Sequence, residues 1–116
     1  MEKSDTRKQF VVVIHDYTDP NALERRMASR EAHLAWAKEA RKTGDLVCGG
    51  AIFDNHENRK MVGSVMICRA ESREALEERI ANDPYTLGKA WEKWDIYPYR
   101  NAIGLEDELP YKPSDI

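Results

Sequence analysis

The chain has 116 residues, 34% of them charged, with a net charge of −3 at pH 7. That size suits one soluble domain with a modest core. Acids and bases are interspersed without the basic stripe that neutralises phosphates, which argues against a nucleic-acid binder, and no apolar run is long enough to span a bilayer.

The opening Met1-Glu2-Lys3-Ser4-Asp5 lacks the apolar core of a signal peptide, and residues 1–8 read as a flexible lead-in. Residues 9–15 (QFVVVIH) predict a strand that is apolar on both faces, with Phe10, Val12 and Ile14 on one side and Val11 and Val13 on the other. Asp19-Pro20 predicts a helix start with Asp as the cap. From there to Thr43 the pattern is helical: Leu23, Met27, Leu34 and Ala37 form the expected core-facing stripe, and Gly44 supplies the stop. A second strand is expected over 45–53, where Gly49-Gly50 marks a bulge or a close backbone approach. Residues 54–59 form a hairpin loop and 60–69 a third strand. Ser72 caps a second helix without the acid that would complete a capping box, and Ala75, Leu76, Arg79 and Ile80 give that helix a short apolar face. Asn82-Asp83-Pro84 breaks it, a short helical stretch runs to about Glu92, and 94–102 (WDIYPYRNA) forms the last strand. Pro98 lacks an amide donor, which places that strand at an edge or a bulge. Cys48 and Cys68 fall inside strands without metal-ligand spacing. Buried, reduced thiols in a cytoplasmic protein are expected, with a disulfide between them as the alternative.

The order βαββαβ is the ferredoxin-like α+β arrangement, a four-stranded antiparallel sheet with two helices on one face. The domain is expected over 9–103, with 104–116 as an extended acidic tail. Val11, Val13, Val65 and Ile67 would leave the second sheet face apolar and uncovered. A homodimer packed sheet to sheet is therefore expected.

His33 lies on the flank of the first helix together with Arg26 and Arg30. A partly shielded histidine there can act as a base; the plain alternative is a half-buried ring bonded to a carbonyl. Asp83 before Pro84 is an ordinary helix cap, or else it reaches His33 and fixes its tautomer. Arg30 and Arg26 can hold an anionic substrate or steady an enolate, or they can sit on a solvated face pairing with Glu31 or Glu39; for Arg26 the solvated face is expected. Tyr85 and Trp91 line a pocket or pack beneath the second helix, and His15 is expected to point into the same pocket. His56 reads as solvated. Ser64 has no nucleophile-elbow context, and the glycines fit no phosphate loop. Three histidines without a Cys/His cluster make a metal site unexpected.

Leu23-Glu24-Arg25-Arg26, Arg30-Glu31-Ala32-His33-Leu34, Gly49-Gly50-Ala51, Gly63-Ser64, Asn82-Asp83-Pro84-Tyr85 and Ile96-Tyr97-Pro98-Tyr99, in that order over residues 9–103, resemble the YciI-like (YCII-related domain) family. The resemblance implies a dimeric α+β barrel with a His and Asp pair in a pocket between helix and sheet, here His33 and Asp83. The family includes a dehydrochlorinase of chlorinated hydroxyquinols and resembles muconolactone isomerases in fold, while many members have no assigned reaction. The polar N-terminal stretch and the Pro-containing tail depart from the compact family pattern. The expected function is cofactor-independent proton transfer (elimination, dehydrochlorination or isomerisation) on a small cyclic oxygenated substrate, with His33 as base, Asp83 orienting it, Arg30 binding and stabilising the negative charge that develops on an enolate or phenolate oxygen, and Tyr85 and His15 binding. The alternatives are a non-catalytic ligand-binding protein, haem included, and a dimeric interaction module.

Overall fold

The computed structural model describes residues 5–104. Half of the expected lead-in and all but Gly104 of the expected tail lie outside the described residues. The elements run β1 (Lys8–Asp16), α1 (Ala22–Thr43), β2 (Leu46–Phe53), β3 (Met61–Ala70), α2 (Arg73–Ala81), α3 (Pro84–Leu87) and β4 (Trp91–Tyr99). All strand pairs are antiparallel, in the order β2-β3-β1-β4. This is the ferredoxin-like α+β fold. Pro98 lies on the edge strand β4, where its missing N–H need not serve a second neighbour.

Strand alternation builds the core. Phe10, Val12 and Ile14 of β1 pack with Cys68 and Ala70 of β3, Ile96 of β4, Leu76 and Ile80 of α2, and Tyr85 and Trp91. Leu76 and Ile80 stand one helical turn apart, so both reach the sheet, while Ala75 turns outward. Ser72 caps α2 by accepting from the Ala75 N–H at 3.1 Å. Gly44 ends α1 in the left-handed conformation at φ 85°, where a Cβ is unfavourable. Before β1, Arg7 binds Asp5 and, across the chain, Asp45.

Several expectations need correction. The core-facing side of α1 is Ala22, Arg26, His33 and Ala37; of the expected stripe, Leu23 and Ala37 are half-buried, whereas Met27 is 51% exposed and Leu34, 36% exposed, only borders a cavity beneath α1. The apolar stripe was a poor guide because the inner face of α1 covers a polar site instead of the apolar centre. The α1 N-cap is Asn21, and Asp19 instead accepts from Asn21 N–H and binds Arg25 at 2.7 Å. The β2 register shifts fall between Leu46 and Cys48 and between Ile52 and Phe53, on either side of the glycine pair, and of the two glycines Gly49 makes the close approach, where a Cβ would stand 3.3 Å from Met66 Cγ. Strand β4 begins at Trp91, three residues earlier than expected, because a register shift at His15/Asp16 sets Trp91 opposite Asp16. Cys48 is exposed, not buried; Cys68 is buried, which pushes its thiol up to about 12, and both are free.

On the sheet face away from the helices, Val11, Val13 and Ile67 are half-buried, with Val65 36% and Tyr97 53% exposed. No helix among the described residues is long and apolar enough to cross a membrane.

Candidate active site

Asp83 occupies the N-cap of α3, with Pro84 in the first turn. Its Oδ1 accepts from the Tyr85 N–H at 2.9 Å and lies 2.8 Å from His33 Nδ1. The cap and the histidine partner are therefore one carboxylate. An ionised carboxylate only accepts, so Nδ1 donates its proton to Asp83, and in the neutral ring it is Nε2 that holds the lone pair. The pair is shielded, with side-chain exposures of 14% for His33 and 12% for Asp83. The His33 ring stacks on Tyr85 at 4.0 Å and 19°, and meets the edge of Trp91 at 5.4 Å. Three partners thus hold one orientation.

Arg26 lies two turns before His33 on the same helix face. It is buried, contrary to the solvated face expected for it. Nη1 donates to both Asp16 oxygens at 2.9 Å, Nη2 donates to Ser64 Oγ at 2.9 Å, and Nε has no partner. The guanidinium also stands 4.7 Å from the Tyr85 ring centre. Burial pushes the Asp16 carboxyl up, against the opposing pull of Arg26. Burial likewise raises the Tyr85 phenol. Ser64 Oγ accepts from Arg26 and, at 3.3 Å, from Trp91 Nε1. With both lone pairs engaged by donors, its own O–H remains to donate.

These groups converge on a cavity of about 210 Å³ lined by Arg26, Arg30, His33, Ser64, Tyr85 and Trp91, with Met61, Met66, Gly49 and Ala51 among the other walls. A cavity of about 150 Å³ takes benzene, so there is room for one ring with a few oxygen substituents. Gly49 and Ala51 present almost no side chain beneath α1, and the space left there is this cavity. Gly88 sits where a Cβ would run into Ser29 Oγ of α1, so its bare backbone lets α3 and Asp83 come close to α1.

Of the residues singled out from sequence, His33, Asp83, Arg30 and Tyr85 come together, with Arg30 exposed at the cavity mouth. His15 does not join them. It alternates to the opposite sheet face, 50% exposed, 3.8 Å from Asp95. Sequence reasoning missed Asp16 and undervalued Arg26 and Ser64. Their signals were positional: Asp16 shares the inward parity of Phe10, Val12 and Ile14, Ser64 that of Met66 and Cys68, and Arg26 stands seven residues before His33. Among the described residues no group of three His, Cys, Asp or Glu side chains could hold a metal.

The sequence profile of the YCII-related domain matches residues 10–100. The chain belongs to the YCII-related domain family. Among its relatives is an Emericella nidulans protein described as "Derivative of benzaldehyde biosynthesis cluster protein C", 44% identical over 68 residues that cover 54% of this chain and 69% of the relative. A Haemophilus influenzae protein without an assigned role is 33% identical over 98 residues, covering 81% of this chain and 98% of its own length. In structure, the chain is similar to the 5-chloro-2-hydroxyhydroquinone dehydrochlorinase of Burkholderia phenoliruptrix in complex with 2,5-dihydroxybenzoquinone. The TM-score is 0.67 at 23% identity, covering 79% of this chain and 93% of that one. At that identity the likeness speaks for the fold.

Proposed function

We propose that this YCII-related protein is a cofactor-independent enzyme that moves a proton on a small, oxygenated ring. The observation that carries the reading is His33, held from behind by Asp83, in the wall of a ring-sized cavity that also presents Arg26 and Ser64 donors. His33 Nε2 takes a proton from the substrate, Asp83 steadies the imidazolium, and the electron pair left behind becomes an enolate or phenolate oxyanion. The unspent N–H groups of Arg26 and the Ser64 hydroxyl stabilise that oxyanion in a site where little water competes. Returning the proton to another substrate atom is an isomerisation; releasing an anionic leaving group while His33 passes its proton to water is an elimination. Arg26 thereby takes the role that sequence reasoning gave to Arg30. The quinone ligand of the structural neighbour and the biosynthetic setting in the relative's name point toward the same substrate class.

The test is to assay chlorinated hydroxyhydroquinones and related enolisable rings by chloride release and absorbance change. Turnover that falls at least about 100-fold in His33→Gln supports the reading. Full rate in that variant overturns the assignment of His33 as base, and tight binding without turnover favours a ligand carrier.

The reading includes a homodimer in which a second copy covers Val11, Val13, Val65, Ile67 and Tyr97 on the open sheet face, as facing sheets do. Sedimentation of the wild type as a dimer and of Val65→Lys as a monomer is expected; a monomeric wild type refutes it. Two free thiols suit a reducing, cytoplasmic setting.

A further inference from the structure

Among the described residues, the permanently charged side chains lining the cavity are Arg26 and Arg30, beside the His33 ring, and no carboxylate lines it. Asp16 already neutralises Arg26 and Asp83 faces His33. Arg30 differs. Among the described residues no carboxylate stands within ion-pair distance of it, while its helix neighbour Arg25 binds Asp19 at 2.7 Å. The helix itself offers Arg30 nothing: the residues three and four positions away are Met27, His33, Arg26 and Leu34, none of them acidic. A guanidinium is built to grip a carboxylate through two parallel hydrogen bonds. Its place at the mouth also suits a group that stays charged, because a carboxylate there keeps part of its water, whereas one taken to the cavity floor would lose it.

Resting on the ring-oxyanion reading above, we infer that the substrate carries a carboxylate besides its reacting oxygen, and that Arg30 binds it at the cavity mouth. Arg26 and Arg30 are one helical turn apart, about 6 Å along the axis, so the two acidic functions sit on opposite sides of a single ring. The substrate class is a hydroxylated or enolic ring acid.

The test titrates the ortho, meta and para hydroxybenzoates and their methyl esters into the wild type, Arg30→Gln and Ser64→Ala, read by tryptophan fluorescence and by the His33 ring signals in NMR. At least one acid should bind about fivefold tighter than its ester, the reach of a partly exposed ion pair. That advantage should vanish in Arg30→Gln with ester affinity unchanged, survive in Ser64→Ala, and shrink with added salt. Equal binding of acids and esters, or an advantage that persists in Arg30→Gln, overturns the carboxylate inference. The oxyanion reading then still stands if Ser64→Ala weakens acids and esters alike. If no member of the panel binds the wild type, both fall.

Discussion

Replacing Arg26 with methionine keeps most of the side chain's volume and removes the charge that faces Asp16. In the wild type the two side chains are 3% and 5% exposed and joined by two 2.9 Å hydrogen bonds. Breaking a buried pair from one side typically costs about 3–5 kcal/mol, since the remaining charge is stranded. Against a typical domain stability of about 5–15 kcal/mol that is a large share. The sign of the pH dependence follows from Asp16. Burial already raises its pKa with Arg26 present, and without Arg26 the opposing influence is gone. A carboxyl whose folded pKa exceeds its unfolded one binds more protons in the folded state, so stability is greatest at low pH and falls as pH rises through the folded value. The deficit of Arg26→Met should therefore widen as pH rises from the ordinary carboxylate range toward the raised folded value, by at most about 1.4 kcal/mol per unit. Urea unfolding at several pH values measures it, and Asp16→Asn added to Arg26→Met should recover a large part. A deficit below about 1 kcal/mol that ignores pH and is not relieved in the double variant would refute the buried-pair account. On the proposed mechanism, turnover in Arg26→Met drops by about 10²–10³, the usual loss for one oxyanion donor.

Asp83→Asn should leave α3 capped, because asparagine also accepts from the Tyr85 N–H, yet release the His33 tautomer; ¹⁵N shifts of the ring nitrogens report this, and an unchanged tautomer would deny Asp83 its orienting role. Asp83→Ala additionally loses the cap, about 1 kcal/mol in urea unfolding. Gly88→Ala should destabilise by about 1–3 kcal/mol through the collision with Ser29, and neutral behaviour would show that α1 and α3 have room to part. Asp19 is held at about 2, first by its side-chain hydrogen bonds from Arg25. A lowered carboxylate contributes stability above its unfolded pKa and loses it as pH falls through the folded value. The melting-temperature difference between wild type and Arg25→Met should thus be present at about pH 5 and mostly lost by about pH 2; an undiminished difference there contradicts the linkage.

Much of the fold was written locally. Alternating Phe10, Val12 and Ile14, the Gly44 stop, the Ser72 cap and Pro98 on an edge strand each follow from backbone and side-chain preferences over a few residues, and their order leads to the ferredoxin-like sheet. The motif residues His33 and Asp83 were legible through the family resemblance, and the structure adds that Asp83 is cap and histidine partner at once. Sequence could not choose between those roles because fifty residues separate the two side chains.

What tertiary structure decided is which way α1 faces. Its large apolar residues Met27 and Leu34 stay exposed, and Arg26 turns inward, because the sheet beneath offers Asp16, Ser64, the bare backbone of Gly49 and the methyl of Ala51 instead of an apolar surface. Strand parity gave His15 to the far face and Asp16 to the near one. A charged residue is read as solvated until its partner is known, and here the partner of Arg26 comes from the end of a different strand. The sequence by itself determined the elements, their order and the chemistry available; only packing decided which of those charged groups lost their water and so came to form the candidate site.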